Sequence, residues 1–386
     1  LTHAPARAAR RIDSPRARLA LAVASLSCMA SPLAPLSWIA GCAPPADVTP
    51  PIRVVPGAAA RALWIGARGG PGAPAPPPPV AIARADGADV VLENEEVAFR
   101  FVRGRLVAAV DARRHADALA YLAPAIDGLE IAVDDAKPAA AAGGAATVVT
   151  TGRDARDPPT TVSARYTLHA GDRALLVEID AARPAAPPSP EARPAAPPSP
   201  EALALIAAFD DARIVAPAPR DAGGAARAPF VGAIARRVSY ALTTTEGDVG
   251  AAVSGRTIRV GEAALAPGDH ARQAYVLVVG ERGDSSSIVA ELAKAAGEAV
   301  GAIAVDVVDA RGQPVAPGDA DRVALLGPSG DEVLAIAEDR GAFAGEAPAG
   351  AYDLAYVRAG ARDAARAHIV VAAGARVRAR LVVVDR

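Results

Sequence analysis

Cysteine is almost absent. Cys28 and Cys42 are the only two in 386 residues, and both lie near the N-terminus. The chain beyond residue 42 can form neither a disulfide nor a thiolate metal centre, so its stability must come from packing alone. Aromatic residues make up only 3%, which leaves Val, Leu, Ile and Ala to build a core and few rings for sugars or bases to stack on. Lysine is nearly missing too: of 41 basic residues only Lys137 and Lys294 are not arginine. A strong net charge is also lacking. The formal charge is −2; without residues 1–41, which hold five arginines and Asp13, 36 basic residues face 42 acidic ones, or −6. Nucleic-acid binders gather a basic surplus on one face, so nucleic acid is not an expected partner.

Clustered histidine is missing as well. His3, His115, His169, His270 and His368 stand far apart, with no His-x-His and no His-Glu-x-x-His. There is no Gly-x-Ser-x-Gly elbow and no Walker loop. No catalytic residue, cofactor site or metal site is therefore expected. Three local patterns remain, each with a simpler explanation. His115-Ala116-Asp117 could orient an imidazole for acid–base chemistry. Asp134-Asp135, Asp210-Asp211 and Asp319/Asp321 could hold calcium, but the twelve-residue calcium loop is absent and turns explain them. Arg282-Gly283-Asp284 reads as the turn into a following helix rather than an adhesion tripeptide.

What the N-terminus does contain is more specific. Arg7, Arg10, Arg11, Arg16 and Arg18 precede an apolar stretch from Leu19 to Ile39 that Pro32 and Pro35 interrupt. Those prolines disfavour a permanent transmembrane helix, and small residues lead to a cleavage site, as in a secretory signal. Ile39-Ala40-Gly41-Cys42 resembles the bacterial lipobox. The resemblance implies cleavage before Cys42, a diacylglycerol thioether on its sulfur, and attachment to a membrane through that lipid anchor. Ala43 follows, with no aspartate in the next position; by resemblance to Gram-negative lipoproteins this implies the outer membrane, on its periplasmic or surface face.

Composition then divides the chain. Residues 1–41 form the signal, and 42–79 a Pro-rich stalk ending in Pro76–Pro79. Residues 80–282 show period-two patterning in short runs, the mark of a β-sandwich. Val97, Phe99 and Phe101 share one face; Val162, Ala164, Tyr166 and Leu168 another; Val238, Tyr240 and Leu242 alternate with Arg237, Ser239 and Thr243. A decapeptide repeated at 182–191 and 192–201 is too Pro-rich to pair in a sheet and is expected as an extruded insert. Residues 283–301 hold one helix from Ser285 to Ala296, capped by Asp284 or Ser285, and a connector. Residues 302–386 read as a small seven-strand sandwich whose last strand turns Val377, Ala379, Leu381 and Val383 inward and Arg376, Arg378 and Arg380 outward. The expected fold class is all-β: a large sandwich, one connecting helix, then a small sandwich.

Two resemblances sharpen this. Gly341-Ala342-Phe343 through Pro348-Ala349-Gly350-Ala351-Tyr352-Asp353-Leu354, with Val307-Val308-Asp309-Ala310-Arg311-Gly312-Gln313-Pro314-Val315, resembles the carboxypeptidase-regulatory-like domain, a transthyretin-like sandwich. Val91-Leu92-Glu93-Asn94-Glu95-Glu96-Val97, Gly104-Arg105-Leu106-Val107 and Ala228-Pro229-Phe230-Val231-Gly232 are similar to an accessory sandwich of myxobacterial lipoproteins, one that often precedes a CehA/McbA-type PHP metallohydrolase. These resemblances imply a non-catalytic binding or accessory module, with a carbohydrate, a cell-envelope polymer or an envelope protein as partner. The alternatives are the N-terminal part of a truncated PHP-type hydrolase and a mutarotase-like sugar-modifying enzyme on a supersandwich.

Overall fold

The computed structural model describes residues 80–386 apart from 128, 140, 142–143, 156–157, 186–200, 216–226, 229, 246–248, 319–320, 328–331, 340, 359–360 and 384–386. Ile39, Ala40, Gly41, Cys42 and the stalk lie outside the described residues. So does most of the 182–201 insert, of which Ala182 closes one strand and Glu201 opens the next.

The described chain is nearly all β, with one helix. A first antiparallel sheet runs in the order Ile82–Asp86, Asp89–Glu93, Val97–Val102, Arg105–Asp111, Leu119–Ile126, Glu201–Phe209, Thr257–Leu265, Val249–Ser254 and Arg227–Ala228, with Leu129–Glu130 off its path. A second runs Arg213–Val215, Val231–Ile234, Ser239–Thr244, His270–Gly280, Ala174–Ala182, Thr161–His169, Ala145–Arg153 and Ala132–Ala139. Successive side chains on a strand point to opposite faces, so the alternating apolar residues of both sheets meet in one core. Phe99, Phe101, Leu106 and Leu122 come from the first sheet, and Tyr166, Leu168, Leu175, Val177 and Tyr240 from the second. Phe101 meets Tyr166 edge-on at 4.8 Å, and Phe209 lies 5.3 Å from Tyr240. Among the described residues, every aromatic except Tyr121 lies in this core or in the smaller one.

The third sheet orders Ala361–Val371, Gly350–Arg358, Arg322–Leu326, Glu332–Asp339, Ala342–Pro348, Val300–Asp309 and Arg376–Val383. It folds over into a small sandwich, and its first strand starts at Val300. Val300–Asp309 and Arg376–Val383 run parallel. The sandwich is open on one side: Glu332–Asp339 and Ala342–Pro348 pair only at Glu338↔Phe343 and Asp339↔Ala342.

Helix α1, Ser285–Ala295, fills that opening. Asp284 caps it, with Oδ1 accepting from Ser287 N at 2.8 Å, which satisfies an otherwise orphaned amide. Ile288, Val289, Leu292 and Ala293 are buried among Ile303, Val305, Leu334 and Ile336 on one side and Ala241, Val276 and Val278 of the second sheet on the other. The first turn also replaces missing ladder bonds. Ala337 N donates to Asp284 Oδ2 at 3.3 Å, Ala335 N to Ser285 Oγ at 2.9 Å, and Glu346 N to Ser286 Oγ at 3.3 Å. Ser286 Oγ in turn donates to Glu346 O at 2.5 Å. Two unpaired strand edges are thereby served by three consecutive side chains.

One expectation changes here. The alternation predicts Ser239 and Thr243 on the solvent face of their strand, yet both are buried. The helix covers that face, so the strand is enclosed on both sides. Ser239 Oγ donates to Arg282 O at 2.6 Å. The Arg282-Gly283-Asp284 turn is packed tightly against this strand's entry: a Cβ on Gly283 would sit 2.1 Å from Ala235 O.

Candidate functional site: a polar seam between the sandwiches

The residues singled out in the sequence do not converge. His115 is exposed in a turn at φ +51, and its neighbour Asp117 serves the fold. Asp117 Oδ1 accepts from Leu119 N at 2.9 Å and Ala109 N at 3.3 Å, and lies 2.9 Å from Tyr240 Oη. His270 pairs with Asp180, and His368 Nδ1 lies 2.9 Å from Asp353; all four side chains are at least 43% exposed. Asp135 faces Lys137 at 2.6 Å, Asp134 faces Arg153 at 3.7 Å and Asp211 faces Arg256 at 3.5 Å. Asp321 accepts from the Tyr356 hydroxyl and from Gly318 N; Asp319 lies outside the described residues. Burial and the adjoining Asp321 push the Tyr356 phenol up to about 12. Among the described residues no three His, Cys, Asp or Glu side chains are grouped to hold a metal.

Polar side chains do gather where the large sandwich meets the helix. Arg173, 6% exposed, follows the turn after Thr161–His169. Its Nε donates to Val279 O at 3.0 Å, one terminal nitrogen to Glu96 at 2.8 Å, and the other to the fully buried Asp111. The guanidinium divides its two terminal nitrogens between two carboxylates, so these charge-assisted bonds tie the Glu96 and Asp111 segments to one side chain. Asn94 Nδ2 adds bonds to His169 O at 2.7 Å and Asp172 O at 2.8 Å. Arg114 reaches across to Asp339 of the small sandwich at 2.8 Å, and that carboxylate raises the guanidinium pKa further.

Beside this network lies a cavity of about 180 Å³. Its wall is Ala174, Leu176, Val276 and Ala295; its polar lining is Thr167, His169, Asp172, Arg173, Glu291 and Lys294. Lys294 Nζ bridges Glu291 at 2.9 Å and Glu346 at 2.5 Å. Burial pushes the Glu291 carboxyl up, against the lowering pull of Lys294 and Arg173. For Lys294, burial pulls downward, but Glu346 and Glu291 together raise it. The arrangement sets an ammonium, an imidazole, a hydroxyl and carboxylates around an apolar wall. That is hydrogen-bonding chemistry suited to a hydroxylated ligand. Sequence reasoning missed the cleft because its members come from three separate segments; the rarity of lysine was the one available pointer to Lys294.

No family model and no curated protein matches the chain. Among solved structures, the chain is similar to a glycosyl hydrolase family 38 protein from Enterococcus faecalis at 8% identity and a TM-score of 0.35, over 72% of this chain and 39% of that one. It is also similar to a putative aldose 1-epimerase from Escherichia coli K12 at 12% identity and 0.28, over 52% and 99%. A galactose mutarotase-like protein from Clostridium acetobutylicum matches at 7% and 0.32, over 53% and 99%. The chain spans less than half the length of the family 38 protein. These neighbours include carbohydrate-related β-sandwich proteins, and at such overlap they carry no argument about what this chain does.

Proposed function

We propose that the protein is an envelope lipoprotein, tethered through Cys42, whose sandwiches act as a non-catalytic binding or accessory module for a carbohydrate or cell-envelope polymer. The seam cleft is the observation that carries this reading. At about 180 Å³ it falls below the roughly 300–1,000 Å³ of sites that enclose a whole small molecule. It therefore suits one unit of a longer chain, gripped by His169, Thr167 and the Glu291–Lys294 pair. In this reading the small sandwich is the regulatory-like accessory fold suggested by the Gly341–Leu354 stretch, fastened by the helix so that both sandwiches present one surface.

Calorimetric titration of the full chain with envelope glycan fragments tests the binding role. His169→Ala, at an exposed position, should weaken binding several-fold without lowering the melting temperature, and no new reducing ends should appear. Glycan turnover, or no glycan binding at all, refutes the proposal. Palmitate labelling tests the anchor: wild type should incorporate label and Cys42→Ser should not.

A further inference from the structure

The last strand of the small sandwich carries a charge pattern that neither the core nor the seam uses. Along Arg376–Val383, Arg376, Arg378, Arg380 and Val382 are exposed while Val377, Ala379, Leu381 and Val383 turn inward. Alternate residues of a strand repeat every ~6.6–6.8 Å, so three guanidinium stems stand in a straight row. Their neighbours across the ladder are Ala302, Ala304 and Asp306. Beyond these lie Glu346 and Ala344, with Glu346 already held by Lys294. Small side chains keep the floor beside the row low. Arg378 holds Asp306 through Nε at 2.9 Å and a terminal nitrogen at 3.2 Å, the fork-to-carboxylate geometry that arginine favours. Arg376 has no such partner among the described residues, and Arg380 shares Asp306 only through its charge, which helps hold that carboxyl low.

We propose that this row is a docking track for a linear polysaccharide bearing carboxylates, with Arg376 and Arg380 gripping acidic sugars as Arg378 grips Asp306. The proposal deepens the polymer-binding reading above and rests on it. A single file of charges fits a chain better than a plane, and on this strand only Val382 offers the apolar contact that a bilayer face would need. No aromatic ring lies on this face among the described residues, so nucleic-acid bases would find nothing to stack on.

The test uses the full chain and polygalacturonate as probe, with dextran, single-stranded DNA and phosphatidylglycerol vesicles alongside. Polygalacturonate should bind and weaken as salt rises, since exposed ion pairs are screened. Arg376→Gln/Arg380→Gln should bind it about tenfold more weakly, the upper range for two exposed ion pairs, with an unchanged melting temperature. Failure to bind polygalacturonate at low salt, equal binding by the double variant, or tighter binding to DNA or vesicles overturns the track. A chain that binds a neutral glycan through His169 yet ignores polygalacturonate refutes the track while leaving the cleft intact. If polygalacturonate binding depends on the arginines and His169→Ala alters binding to no glycan, the track stands and the cleft does not.

Discussion

Ser286→Ala isolates the device that joins the two sandwiches. Ser286 is fully buried, and its hydroxyl both donates to Glu346 O and accepts from Glu346 N. Removing it takes away two hydrogen bonds and leaves a strand edge facing the helix with nothing to bond. Each lost bond costs about 0.5–1.5 kcal/mol net, and a stranded buried group about 1–3 kcal/mol. Partial relaxation of the edge toward water lowers the sum, so a loss of roughly 2–4 kcal/mol is expected. The substitution adds no bulk and leaves Asp284 and Ser285 in place, so the effect belongs to the edge. Gly345 supplies an independent check, because a Cβ there would come within 2.7 Å of Ser286 Oγ and 3.0 Å of Ile336. Gly345→Ala should destabilise the wild type more than it destabilises Ser286→Ala, giving a coupling that a double-mutant cycle resolves. Urea denaturation followed by circular dichroism is the assay, with the midpoint read at constant slope. If Ser286→Ala lies within ~0.5 kcal/mol of wild type, the range of an ordinary surface substitution, the hydroxyl does not close the edge and the argument fails.

Three further outcomes follow from the same physics. Arg173→Ala should cost about 3–5 kcal/mol, because it strands the buried Asp111 carboxylate; adding Asp111→Asn should recover part of that loss, and no recovery in urea melts would count against the pairing. Tyr240→Phe removes the hydroxyl that accepts from Ala118 N at 2.8 Å and should cost about 1–3 kcal/mol; an unchanged denaturation midpoint would mean that the amide finds another partner. Glu291 should destabilise the fold progressively as pH rises. Its folded pKa is raised above the ordinary 4.5 by burial, so its stabilising influence is complete below the unfolded value and is lost as pH climbs through the folded one. The stability of Glu291→Gln minus that of wild type should therefore increase across this window, and a flat difference would remove the claim.

Much of the architecture could be read along the chain. The alternation in Val97–Phe101, in Val162–Leu168 and in Val377–Val383 is a local property: a strand offers one face to the core, and a one-residue slip would bury arginine. The cap at Asp284 is equally local, because its carboxylate bonds an amide three residues ahead. The exposed arginine row follows from the same period of two. The seam did not show in the sequence, since Asp111, Arg173 and the helix pair Glu291 and Lys294 belong to three segments that neither spacing nor composition relates.

The chain's own order thus determined that these residues form strands and which side of most strands is apolar. Tertiary structure alone decided that Ser239 and Thr243 are buried, that a helix closes the small sandwich, and that a polar cleft lies beside it. The physical reason is that side-chain direction depends on the backbone of a few residues, whereas what covers an outward face depends on where distant segments come to rest.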